Sequence, residues 1–313
     1  MKKACSFLPA ATQMIYDLGL QDHLSGVTFE CPAEARAEKP AAVRYVLEGK
    51  DYSSAEIDRI FSTRKAQGKS LYYVDDEVLR AAAPDVIFTQ DVCEVCQIDT
   101  ACTAAAVAKL PRTPELVSIT PRSLEEVFGS VVTIATALEA EEAAHRHLTR
   151  LRQRLDAIVD QLRIHRAMPR RVSLLEWMDP IYNCGHWIPD QIAWAGGTDL
   201  LAHPSGDSIV TPWEKIVRYD PEVLIIAPCG FTVSRSLKEL FRLSERPGWA
   251  KLRAVQEQRV FVADYDLFTQ SSASTLVNGI ELLAALFHPD IFSVPASLAT
   301  KYRPLPATTL VSL

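Results

Sequence analysis

The chain predicts an α/β fold of two wound lobes joined by a long backbone helix, and three observations lead there. Short apolar runs alternate with helical patterns and Pro turns in both halves, as in APDVIF (83–88) and DPEVLII (220–226), the strand-turn-helix rhythm of parallel sheets. A helical pattern free of proline runs from Ser123 to Met168 between those halves. The length of 313 residues exceeds what one hydrophobic core serves well, so two lobes are expected.

Each element follows from local chemistry. ACSF (4–7) reads as a short buried strand, Pro9 as a turn, and ATQMIYDLGL (11–20) as a helix closed at Gly19. GVTF (26–29) is the next strand. A helix is predicted from about Ser53 to Gln67, because Ser53 and Glu56 stand in the spacing that caps two free amides reciprocally. DDEVLRAAAPDVIFTQD (75–91) gives a short helix, a turn and a strand ending near Cys93 and Cys96. In the central helical stretch Leu148, Leu151, Leu155, Ile158, Val159 and Leu162 keep one apolar stripe. Strands RVSLLEW (171–177), PEVLIIAPC (221–229) and RVFVAD (259–264) then alternate with helical segments up to 290. The expected domains are an N-terminal α/β lobe over 1–122, a connecting helix over 123–168, a C-terminal α/β lobe over 169–292 and a tail over 293–313, both lobes Rossmann-like.

Composition excludes several classes. With 48% hydrophobic and 23% charged residues the chain is an ordinary globular one. A net charge of −6 argues against a nucleic-acid partner, which needs a basic stripe. No run of about 18 apolar residues offers a transmembrane segment. MKKAC lacks the apolar stretch of a signal peptide, and seven scattered cysteines fit a reducing compartment. The expected location is the cytoplasm, the periplasm applying only if a signal peptide had been removed.

In open parallel sheets ligands gather beyond the carboxyl ends of the strands. Glu30 and Cys31, Cys93 and Cys96, Glu176 and Trp177, Cys229 and Phe231, and Asp266 and Phe268 fall there. GHWIP adds His186 and Trp187, an imidazole to coordinate or hydrogen-bond a ligand and an indole to stack on it. Trp194 and Trp249 read as core. Cys93 and Cys96 read first as pocket-lining thiols that touch a ligand's metal; they are also candidate metal ligands, half of a tetrahedral site that Cys31, Cys229 or His186 would complete, and they read least of all as a redox dithiol. Cys229 with His186 and Glu176 is the one constellation on which a thiol-dependent enzyme could rest. Phosphate-loop, G-x-S-x-G and H-E-x-x-H motifs are absent from the sequence.

SFLPAATQMIYDLGL, GVTFECPAEAR, APDVIF, DPEVLI, LLEWMDPIYNCGHWIPDQIAWAGG, PGWAKLRAVQEQRVFVAD and LVNGIELL together resemble class III substrate-binding proteins over residues 4 to about 290. The likeness is greatest to the vitamin B12 (cobalamin) carriers of ABC transporters, with siderophore and haem carriers as relatives. The resemblance implies the class III periplasmic-binding-protein fold, a two-lobe clamp holding a small-molecule metal chelate in its cleft, and cobalamin or a related corrinoid as that chelate. It carries ligand contact to Glu30, Cys31, Arg44 and Tyr45 in the first lobe. In the second it carries contact to Tyr182 of DPIY, Trp213 at the loop end that opens the helix WEKI, and Asp266 and Phe268. The segment GKDYSSAEIDRIFSTRKAQGKSLYYVDDE (49–77) departs from the family where transport homologues dock on a permease, which argues against delivery through one. The expectation is a corrinoid-binding carrier, buffer or sensor and not an enzyme. The rivals are the thiol-dependent enzyme and a siderophore, haem or metal-ion binder.

Overall fold

The computed structural model describes residues 1–50, 52–90 and 100–305. The chain divides into two compact units, Met1–Pro121 with Glu125–Arg150, and Arg122–Leu124 with Leu151–Leu313. Both are α/β.

In the first unit the strands are β1 (Ala4–Ser6), β2 (Leu24–Thr28), β3 (Ala41–Tyr45), β4 (Tyr72–Val74), β5 (Val86–Thr89) and β6 (Glu115–Ser118), in the spatial order β4-β3-β2-β1-β5-β6. All pairs are parallel except β3 with β4. β1 sits in the middle, opposite β2 and β5, and its residues are fully buried, as a strand covered on both faces must be. Cys5 packs so tightly on β2 that a Cβ at Gly26 would lie 2.8 Å from its Sγ. The helix Ser54–Ala66 carries the expected reciprocal cap: the Glu56 amide donates to Ser53 Oγ (3.3 Å) and the Ser53 amide to Glu56 Oε2 (2.8 Å). Strands β3, β4 and β6 carry no clear apolar alternation. β6 is almost wholly exposed, and pairing with β5, not burial, makes it a strand.

The helical stretch after Ser123 is two helices, Leu124–Ala137 and Glu141–Ile164, and not one. The break is Glu139, at φ 59°, with the Ala140 amide turned back onto Ala135 O (2.8 Å). This left-handed closure is usually made by glycine, and with glutamate at that position the break carries no sequence signal. At 1.5 Å per residue the second helix is about 36 Å long. Leu151, Leu155 and Ile158 of the expected stripe are buried, whereas Val159 is exposed.

The second unit is built on β7 (Arg170–Met178). Its sheet continues through β8 (Ile181–Asn183), β10 (Gly197–Thr198), β12 (Ile209–Val210), β13 (Val223–Ile226), β14 (Val260–Ala263) and β15 (Tyr302–Pro304), in the order β12-β8-β7-β13-β14-β15 with β10 also on β7. β9 (Gly185–His186) and β11 (His203–Pro204) form a separate parallel pair. β7, β13 and β14 run parallel and carry the apolar runs read as strands in the sequence. The residues after 292 contribute β15, antiparallel to β14. Beside the β7–β8 ladder the partly buried carboxylate of Asp199 accepts from the Leu174, Leu201 and Asn183 N–H groups, and burial pushes its pKa up to about 6.

Candidate functional site

At the carboxyl ends of the first sheet, the turn after β2 is held from several sides. Phe29 N donates to Val43 O (3.1 Å), and Cys31 N to Thr28 O (3.2 Å). The Cys31 sulfur receives the Thr28 amide (3.3 Å) and lies 3.0 Å from Thr12 Oγ1. Cys31 is 2% exposed and burial pushes its thiol up, so it packs the turn and does not present a thiolate. Phe29 stacks on Tyr45 at 5.3 Å, and Tyr45 on Tyr72 at 5.2 Å, a ring cluster in which Tyr72 had no sequence signal pointing to it. Arg44, next to it on β3, pairs with Glu48 (3.0 Å) at the surface. Glu30 stands partly buried in the turn, and burial pushes its pKa up to about 7.

In the second sheet the strand ends are stitched to one another. Cys229 N donates to Glu176 O (3.0 Å), Tyr265 N to Phe231 O (3.2 Å) and Val233 N to Asp264 Oδ1 (2.7 Å). Trp177 packs on Phe231 with ring centres 5.2 Å apart, and its indole donates to Asp179 O (3.2 Å). Arg235 lies 4.8 Å over the Phe231 ring and binds Glu239 (2.8 Å). Arg242 shares that same carboxylate (2.9 Å) and also reaches Asp179 (2.7 Å). Arg235, Glu239 and Arg242 were missed because in sequence they are an ordinary charged helix face. Asp266 is claimed by Lys301 at 2.7 Å, while its Oδ1 is buried with no hydrogen-bond partner among the described residues.

Glu176 and His186 meet around a backbone crossing. Glu176 accepts from the Gly185 amide (3.4 Å) and, through its other oxygen, from the Ser208 hydroxyl. His186 has φ 51° and stacks on Trp187 at 5.5 Å. Its Nδ1 is buried without a partner among the described residues. Burial holds its pKa below the usual imidazole range; Arg122 and His203 push the same way and Asp207 opposes. Trp187 donates to Phe268 O (2.7 Å). Tyr182, partly buried, lies on β8 opposite Trp177 in the ladder.

Some expected ligand contacts are interior instead. Phe268 is 0% exposed and Trp213 5%, the latter stacked on Trp249 with its indole bonded to Pro247 O (2.8 Å); both are core side chains. Phe231 is also mostly covered and acts by supporting Trp177. Cys93 and Cys96 lie outside the described residues. Among the described residues no group of three His, Cys, Asp or Glu side chains is arranged to hold a metal ion. Nor is any helix there long and apolar enough to cross a membrane.

Comparison with known proteins adds the family-level observations. The family described as "Periplasmic binding protein" matches residues 9–267. An uncharacterized ABC transporter substrate-binding lipoprotein of Bacillus subtilis (strain 168), YvrC, is 24% identical over 295 residues, covering 93% of this chain and 81% of that protein. Among solved structures, a periplasmic heme binding protein from Pseudomonas aeruginosa superposes with a TM-score of 0.69 at 17% identity, covering 97% of this chain and 95% of the other. The periplasmic vitamin B12 binding protein BtuF of Vibrio cholerae does so with a TM-score of 0.61 at 16% identity, covering 92% and 97%. These findings correct the cytoplasmic placement. The matched family is periplasmic and the relative is a lipoprotein, so scattered cysteines were a poor guide to compartment.

Proposed function

The chain belongs to the periplasmic binding protein family, and from that premise we infer that it captures a metal chelate of the corrinoid class. Members of this family bind substrates for ABC transporters and are not enzymes, which removes the rival reading of Cys229, His186 and Glu176 as a catalytic set. The geometry agrees, since Glu176 is committed to Gly185 and Ser208 and holds a loop in place.

The observation that carries the ligand reading is the group at the carboxyl edge of the second sheet. Trp177 is backed by Phe231, with Tyr182 opposite it in the ladder and Arg235 and Arg242 close by. A large planar chelate suits such a surface. Each 100 Å² of apolar area it covers supplies about 2.5 kcal/mol before the cost of immobilisation. Proteins sharing this fold that bind haem and vitamin B12 support a macrocyclic chelate.

A spectral and fluorescence titration tests this. All five tryptophans, at 177, 187, 194, 213 and 249, lie in the second unit, so indole quenching reports ligand arrival there. Cyanocobalamin is expected to quench at micromolar concentration. Quenching by haemin alone would move the ligand to the haem class, and silence toward both at tens of micromolar would sink the chelate reading.

A further inference from the structure

The segment after residue 292 does more than add an edge strand. β15 brings Lys301 to the carboxyl end of β14, where the Asp264 amide donates to Lys301 O (2.9 Å). The Lys301 ammonium bridges two carboxylates there, 3.2 Å from Asp264 Oδ2 and 2.7 Å from Asp266 Oδ2. Among the described residues no other base pairs with either. The Asp264 side chain is only 15% exposed and that of Asp266 26%, and Asp266 Oδ1 is buried with no hydrogen-bond partner among the described residues. Like charges this close and this poorly screened repel unless a cation stands between them.

The backbone that this bridge fixes is the one from which the binding edge hangs. Asp264 Oδ1 accepts from Val233 N (2.7 Å), and Tyr265 N donates to Phe231 O (3.2 Å), so the loop carrying Phe231 is tied to the turn at two points. Phe231 in its turn backs Trp177. Phe268 N closes the turn onto Tyr265 O (3.0 Å), and Phe268 O receives the Trp187 indole (2.7 Å). Trp177 and Trp187 are thus both held through residues 264–268, all of them within the second unit.

We propose that Lys301 is a positioning residue for the binding edge: by neutralising Asp264 and Asp266 together it keeps 264–268 in the arrangement that sets Phe231 behind Trp177 and anchors the Trp187 indole. The proposal rests on the chelate reading above and adds to it a residue that acts through others. The tail has its own attachment apart from the charge, since β15 is laddered onto β14 and Tyr302 packs on Phe261 with ring centres 6.3 Å apart. Losing the ammonium therefore disturbs the turn and leaves the tail in place.

Three variants of the full chain separate charge from packing. Lys301→Met removes the charge at similar length, Lys301→Arg keeps it, and Tyr302→Ala loosens the tail with the charge intact. Each is titrated with cyanocobalamin and with haemin, and its indole emission and unfolding midpoint are recorded without ligand. Lys301→Met is expected to weaken binding of whichever chelate the unaltered chain takes at least tenfold and to shift the ligand-free emission. Lys301→Arg should return affinity to within threefold and reverse the shift, and Tyr302→Ala should lower the midpoint with affinity within threefold. A smaller loss in Lys301→Met, no recovery with arginine, or an equal loss of affinity in Tyr302→Ala overturns the positioning role and leaves the chelate reading standing. Should Lys301→Met not fold, Lys301→Gln is held to the same criteria, and failure of both to fold makes Lys301 a structural residue and overturns the proposal. If the unaltered chain takes neither chelate, the chelate reading falls and the ligand-free emission decides: a shift reversed by arginine upholds the role of Lys301, and an unshifted emission overturns it.

Discussion

Replacing Gly185 by alanine tests whether the backbone crossing beside Glu176 and His186 is as tight as the structure shows. A Cβ at that position would lie 2.5 Å from Gly206 O, 2.6 Å from Ser208 N and 2.7 Å from the Asp207 carbonyl carbon. All three are main-chain atoms, so no side chain can swing away, and the segment 206–208 must move as a piece. That motion pulls Ser208 from Glu176 and breaks the Gly185 amide bond to the same carboxylate. Overpacking of this kind costs roughly 1–3 kcal/mol, and the loosened hydrogen bonds bring the expected loss to about 3 kcal/mol. For a unit of this size each kcal/mol moves the midpoint by about 2–4 °C, so the expected drop is about 6–12 °C. Tryptophan fluorescence follows the transition in the second unit alone, because that unit holds every tryptophan. The control is Gly129→Ala in the helix Leu124–Ala137, where nothing lies within 4 Å of the added methyl; helix propensity there predicts a gain of about 1 kcal/mol, read by circular dichroism. A Gly185→Ala midpoint within about 1 °C of the unaltered chain would refute the crossing as described.

Two further outcomes follow from the same geometry. Asp199 has its pKa raised from 3.8 to about 6 by burial, so the folded chain holds that proton more tightly than the unfolded one; its contribution to stability is full below about pH 4 and is lost as pH rises through 6, a change of about 3 kcal/mol. Asp199→Asn, which cannot ionise, should flatten the urea-midpoint profile between pH 4 and 6, and an unaltered slope would show that another group is responsible. Phe268→Ala removes a fully buried ring and should cost about 3–5 kcal/mol in thermal or urea unfolding. Trp177→Ala, by contrast, should weaken chelate binding at least tenfold in the fluorescence titration with a smaller loss of stability. Equal stability losses in the two variants would contradict the assignment of Phe268 to the core and Trp177 to the binding edge.

Legibility in the sequence followed burial. β1, β5, β7, β13 and β14 were readable because strands covered on both faces need continuous apolar runs, and those runs stand out between Pro turns. The capped helix at Ser53 was readable because its signal lies within four residues. Edge strands such as β6 and the two-residue bridges β9 to β12 had no such signal, since their identity comes from the strand alongside. The candidate site divided in the same way. Trp177 and Glu30 were singled out because they end or directly follow readable strands, and the structure leaves both partly exposed. Trp213 and Phe268 looked equivalent in sequence but lie in the core, because the depth of an aromatic depends on what packs over it.

By itself the sequence determined the α/β class, the two-unit plan and the resemblance to substrate-binding proteins, all of which rest on local periodicity and on motifs contiguous in the chain. Tertiary structure alone decided which carboxylates are committed and which is left open. Glu176 is bound by Ser208, 32 positions away, and Asp266 by Lys301, 35 positions away, whereas Glu30 finds no partner among the described residues. The physical reason is that a charge is satisfied by whatever folding brings within about 3 Å, and chain order does not encode that distance.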